Sequence, residues 1–201
     1  VSLTPHANYS VSLSLFEKIR SHNSGEIMTI HNQETPTEDQ MFIEGTGDLL
    51  NELIAKHFFK PTGKTALKST LPLLPDVPIL MVHNTFTSKE DIQWIKQQNK
   101  SVFWATCPKA NVFIEGALPN YDLFIDSQSK MTIGTDSLAS NDSLSILEEM
   151  KTINELVPLE ILIRWACKHG AEFLGLDQLG TIAVGKKPGV NHITSLKNTK
   201  N

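Results

Sequence analysis

The chain has 201 residues, 40% hydrophobic and 20% charged, with a formal net charge of −4. That is enough apolar material for a sizeable core, and the 18 cations do not cluster as a nucleic-acid surface requires. No apolar run approaches the roughly 18 residues of a membrane-spanning helix.

Cys107 and Cys167 form no C-x-x-C pair, which fits a reduced, cytoplasmic protein. Val1 opens the sequence without a Met and already within an apolar run, so the chain is expected to begin inside a longer protein.

In chain order, Val1–Thr4 reads as a strand running into Pro5-His6-Ala7-Asn8-Tyr9-Ser10. Ser12 is placed to cap a helix bearing Leu13, Phe16, Ile19 and Arg20. Glu26–Ile30 is a second strand that stops at His31, followed by Asn32-Gln33-Glu34-Thr35. Leu49–Phe59 shows a helical stripe, and Gly63–Pro78 reads as a loop long enough to cover the strand ends.

Pro78–Val82 is a third strand, ending at His83-Asn84-Thr85. Thr87-Ser88-Lys89-Glu90 resembles a capping box opening a helix with Ile92, Ile95 and Lys96. Ser101–Thr106 is a fourth strand, broken at Cys107-Pro108, and a helix is expected around Tyr121–Ile125. Met131–Ile133 is the fifth, ending in Gly134-Thr135-Asp136. Leu144, Leu147, Met150, Ile153 and Leu156 then form a helical stripe. Leu159–Leu176 is helical with breaks at Gly170 and Gly175, and Leu179–Val190 reads as a turn, a short strand and a turn.

Near-continuous apolar strands alternating with helices mean an α/β fold with a parallel sheet covered on both faces. No G-x-G-x-x-G or G-x-x-x-x-G-K-S/T is present, so dinucleotide and P-loop readings lose their main support. Taken singly, a histidine after a strand is ordinarily structural, and an aspartate there ordinarily caps the next helix. Taken together, His6, His31, His83 and Asp136 each close a parallel-strand candidate and fall on one rim of the sheet. Imidazoles and a carboxylate converging there suit Zn²⁺ or Fe²⁺, which would lower the pKa of a water from 15.7 to about 7. Glu34, three residues past His31, is placed to carry a proton. A serine triad lacks its G-x-S-x-G and a cytidine-type zinc deaminase lacks its C-x-x-C. Cys107 is more simply a small core residue than a nucleophile.

These segments, with Cys107-Pro108-Lys109-Ala110-Asn111 and Gly134 to Asn141, resemble the later strands of the amidohydrolase superfamily. The resemblance is to its chlorohydrolase, guanine/cytosine deaminase and adenosylhomocysteine/methylthioadenosine deaminase branch, and it runs nearly the whole chain in order. It implies an incomplete (β/α)8 barrel of strands 4 to 8 over residues 1–178. Residues 179–201 would return toward a small β-sandwich. It implies metal ligation by His31, Asp136 and His83, one ion per site. Glu34 would relay a proton, His83 would touch substrate or attacking water, and Asp136 would serve as general base. His6, Asn111, Ser137 and Asn141 would contact a small heterocyclic substrate.

The superfamily's strand-1 H-x-H pair occurs nowhere in the chain. The chain is therefore expected to be the C-terminal portion of a hydrolytic deaminase, weak in metal binding and nearly inactive alone. Hydrolysis of an amide or carbon–halogen bond is the rival activity, and a non-catalytic fragment is the rival from another class. Open sheet edges predict a homo-oligomer, or cover by a missing N-terminal part.

Overall fold

Residues 2–23, 25–53 and 59–192 are described by the computed structural model. They fall into two compact units, 1–102 and 103–201.

In the first unit, α1 (Leu13–His22) starts where Ser12 Oγ accepts from Leu15 N, and it buries Phe16 and Ile19. Strand β1 is Met28–Asn32, two residues later than expected, so His31 lies inside the strand. It pairs in parallel with β2 (Ile79–His83), His31 opposite Val82 and Asn32 opposite His83. Both strands alternate buried and half-buried residues. Met28, Ile30, Ile79 and Met81 therefore share the core face, while Thr29, His31, Leu80 and Val82 face the other way. The expected first strand does not form. Residues 2–6 are irregular, and Ala7 alone makes a parallel bridge, to His31.

Helix α2 (Pro36–Glu44) was not expected, although its start is written in Thr35-Pro36-Thr37-Glu38, a capping box with Pro at the first helical position. It ends at Gly45, whose φ of 70° is the left-handed conformation a C-cap needs. The expected helix at 49–59 is represented by α3 (Asp48–Glu52); positions 54–58 lie outside the described residues. The supposed loop 63–78 contains α4 (Ala66–Thr70) and a 3₁₀ turn (Leu71–Leu73). Ala66, Leu67, Leu71 and Leu74 are fully buried there, so the segment is core. Helix α5 (Lys89–Lys96) is capped by Ser88, which accepts from Asp91 N, one residue later than the expected Thr87 box.

The second unit takes up β3 (Val102–Thr106) from Phe103 on, paired in parallel with β4 (Met131–Ile133), Trp104 opposite Met131. Pro108 does not merely break β3: it starts α6 (Pro108–Glu115), which carries Asn111. Next come α7 (Tyr121–Asp126) and α8 (Ile146–Thr152), the latter with Ser145 as N-cap. Leu144 and Leu156 flank α8 rather than extending its stripe, and both are exposed. Helix α9 (Leu159–Ile163) continues through a π-helical turn (Arg164–His169) into α10 (Gly170–Phe173). Gly170 is thus helical, and the disturbance lies in the turn before it. There Trp165 packs on Tyr121 and His169 Nδ1 meets Met131 O at 2.8 Å. Trp104–Phe124 and Phe103–Phe173 ring contacts complete this core. Residues 179–192 contain no strand, and Ile182 and Val184 are exposed, which corrects the expected short strand.

Candidate active site

Of the residues read as functional, His6, His31, Glu34 and His83 meet in the first unit. The His6 and His31 rings are 4.8 Å apart and the His31 and His83 rings 4.9 Å, both edge to face. Strand alternation alone would put His83 on the same face as its partner Asn32, away from His31. His83 has φ 73° and Asn84 φ 57°. This left-handed pair breaks the pleat at the end of β2 and allows the His83 ring to meet His31. Such a conformation costs a histidine about 1–2 kcal/mol. Three hydrogen bonds hold it in place. Asn84 N donates to Asn32 O at 3.0 Å, Asn84 Nδ2 to Met81 O at 2.8 Å, and Asn32 Nδ2 to Asn84 Oδ1 at 3.1 Å.

Glu34 Oε1 lies 3.5 Å from His83 Nε2; the histidine is buried and the glutamate side chain 14% exposed. One ligand atom each from His31, Glu34 and His83 lie within 4.8 Å of one another. A tetrahedral zinc at 2.0–2.2 Å sets its ligand atoms about 3.4 Å apart. The trio is therefore somewhat wider than a bound set, and it offers the imidazole and carboxylate donors that Zn²⁺ or Fe²⁺ takes. Among the described residues it is the one such group.

The loop carrying Glu34 rests on a buried polar network. Gln33 is fully buried at φ 46°. Its Nε2 donates to Asp39 Oδ2 and Asp91 Oδ2, both at 3.0 Å, and its Oε1 accepts from Thr87 Oγ1 at 2.7 Å. Burial pushes the Asp39 carboxyl up. Burial also raises Asp91, but hydrogen bonds from Gln33, Thr65, Lys68 and Ser88 outweigh it and hold that carboxyl below its ordinary range. Tyr9, beside His6, is pushed up to about 12 by burial and the Glu38 and Glu34 charges. His6 itself is exposed, its Nδ1 2.9 Å from Ser10 Oγ.

The other expected residues belong to the second unit. Asp136 follows β4 at φ 57° and accepts a hydrogen bond from Ser140 Oγ. Asn141 Nδ2 donates to Thr135 O at 2.7 Å and to Glu149 Oε1 at 2.6 Å. Ser137 is exposed and its hydroxyl accepts from Ala139 N, so it shapes its own turn. Asn111 is fully buried in α6. A cleft of about 570 Å³ is bordered by Lys109, Val112, Phe113, Leu138, Ser140 and Asn141. Sequence reasoning missed two supporting groups: Glu38 and Glu149. The capping-box spacing was a legible signal for Glu38. No local pattern marks Glu149, which is fully buried and joins Lys109 N to Asn141.

Three comparisons bear on this arrangement. An adenosine deaminase of Helicobacter pylori is 29% identical over 200 residues, covering 92% of the chain and 48% of the relative. A 5'-deoxyadenosine deaminase of Methanobrevibacter smithii is 30% identical over 198 residues, covering 91% and 41%. The crystal structure of Helicobacter pylori aminofutalosine deaminase superposes with a TM-score of 0.74 at 26% identity, covering 97% of the chain and 52% of that structure. The chain thus spans about half the length of the curated relatives it matches. The model of the amidohydrolase family matches residues 1–196, and the chain, with its parallel α/β fold, belongs to that family.

Proposed function

We propose that the chain is the C-terminal portion of a metal-dependent hydrolase that removes the amino group from an adenine-type nucleoside. In this reading β1 to β4 correspond to barrel strands 5 to 8. The observation that carries it is the His31–Glu34–His83 trio, its donor atoms within 4.8 Å in a member of this family. Relatives named as deaminases of adenosine and 5'-deoxyadenosine support the substrate class.

His31 and His83 would hold the metal, with Asp136 as the further ligand the family resemblance implies. When bound, a divalent metal supplies a Lewis acid that makes water nucleophilic at neutral pH. Asp136 takes the proton from the water that attacks the ring carbon; the Ser140 hydroxyl fixes the carboxylate for that task. Glu34 gives a proton to the adjacent ring nitrogen, Asp136 passes the water's proton to the amino group, and the carbon–nitrogen bond breaks with release of ammonia as the new hydroxyl returns a proton to Glu34. His83 Nε2, 3.5 Å from Glu34 Oε1, orients that carboxyl. The 570 Å³ cleft beside Asn141 falls in the size range of small-molecule sites.

The test is ammonia release from adenosine, 5'-deoxyadenosine and a methylthio analogue by the protein loaded with zinc. Release that collapses in Glu34→Gln supports the proposal. Failure on every adenine nucleoside by zinc-loaded protein that includes an H-x-H-bearing half would refute it. The absence of H-x-H from this sequence favours one further reading. The 201 residues alone bind metal weakly and turn over little or nothing.

A further inference from the structure

The Glu38 carboxylate sits in the first turn of α2, fully buried, and receives four hydrogen bonds. Its Oε1 accepts from Glu34 N at 2.7 Å and Thr35 N at 3.3 Å; its Oε2 accepts from Gln33 N at 2.8 Å and Asn8 Nδ2 at 2.7 Å. Closing the capping box explains only the bond to Thr35, the longest of the four. The three short bonds reach outside the helix. Three successive backbone N–H groups converge on one anion, a nest that holds Gln33 in its left-handed turn at φ 46°. The fourth bond ties down Asn8, two residues past His6, whose carbonyl accepts from His31 N at 3.0 Å.

Every partner is a donor, so only an acceptor-only group serves all four. We propose that Glu38 is the positioning residue of the candidate site: its carboxylate fixes the turn that aims Glu34 at His83, and anchors the His6 segment beside His31. This rests on the proposed hydrolase reading for its purpose, though not for its geometry. Glu38 touches no reacting atom and acts through Glu34.

Two readouts test it on the purified protein: titration with zinc alone, and the ring-nitrogen NMR signals of His83. Glu38→Gln keeps the shape but turns an NH₂ toward donors. It is expected to weaken zinc binding about tenfold, the lower end of the cost of losing an outer partner at a metal site. The His83 ring signals should move in the direction that Glu34→Gln moves them. In Asn8→Asp combined with Glu38→Gln, the new amide can donate to the new carboxylate, and both readouts should return part of the way. A merely structural cap would lower stability in Glu38→Gln yet leave the His83 signals in place; that result overturns the proposal, whatever zinc does. If Glu38→Gln does not fold, Asn8→Ala removes one bond and spares the cap; His83 signals unmoved in that variant also overturn it. If the wild-type protein takes up no zinc, the metal reading fails, while the His83 signals still decide the role of Glu38.

Discussion

Gln33→Glu is the sharpest test of the scaffold beneath the site. The substitution is isosteric, but it replaces an NH₂ that donates to Asp39 and Asp91 at 3.0 Å with an oxygen. Two hydrogen bonds to charged groups are lost, each worth about 1.5–3 kcal/mol. A third carboxyl now faces two others. The protein limits the repulsion by keeping a proton on one of them, which costs about 1.4 kcal/mol for each pH unit above that group's ordinary pKa. For a glutamate near 4.3, that limit is about 4 kcal/mol at pH 7.5. The expected loss of unfolding free energy is therefore at least about 3 kcal/mol at pH 7.5, the two lost hydrogen bonds alone accounting for that much. The new carboxyl's folded pKa is raised above its unfolded value, so the native state binds more protons than the unfolded one. Stability must then fall as pH rises through the window from about 4 to the raised folded pKa, and recover on acidification. Urea denaturation of wild type and variant at pH 5 and 7.5 measures this. A loss below about 1 kcal/mol at pH 7.5, or one independent of pH, would refute the network as drawn.

Three further outcomes are expected. In protein that includes an H-x-H-bearing half, Glu34→Gln should lower kcat for nucleoside deamination by about 10²–10⁴, the range for a lost general acid–base group, with the fold unchanged by circular dichroism. Gly180 has φ 79°, and a Cβ there would stand 2.7 Å from Ala171 Cβ and 2.8 Å from Cys167 O. Gly180→Ala should thus destabilise the second unit by more than about 1 kcal/mol in thermal denaturation. Phe124→Ala empties the space beside Trp104, 5.3 Å away between ring centroids, and should cost about 3–5 kcal/mol in the same assay.

Strands β1 to β4 were legible because buried parallel strands are short apolar runs bounded by turn residues, and all four were placed to within two residues. What failed was weakly amphipathic or hidden by proline. Helix α2 begins with Pro36 and α6 with Pro108; each proline reads as an interruption but sits at the first helical position. Segment 66–73 lies in a stretch, 63–78, rich in proline, threonine and lysine, yet Ala66, Leu67 and Leu71 carry it into the core. The opening strand failed because an apolar run does not by itself find a ladder: Ala7 alone pairs with β1. The histidines and Glu34 were singled out by their places after expected strands, and His31, Glu34 and His83 form the metal-type cluster. The left-handed backbone that brings His83 to His31 had only a weak signal: histidine and asparagine are enriched at positive φ, but most of them still take negative φ. Glu149 was invisible because its partners, Lys109 N and Asn141, are distant in sequence.

The proposed hydrolase requires His31 and His83, with Asp136 as the family resemblance implies, to hold a divalent metal. Zinc titration of the protein followed by metal analysis after gel filtration, repeated for His31→Ala, His83→Ala and Asp136→Ala, tests it most directly. At most one zinc per chain is expected, bound at least tenfold more weakly after each substitution while the fold is retained. Zinc uptake by the wild type that none of the three substitutions alters would contradict it.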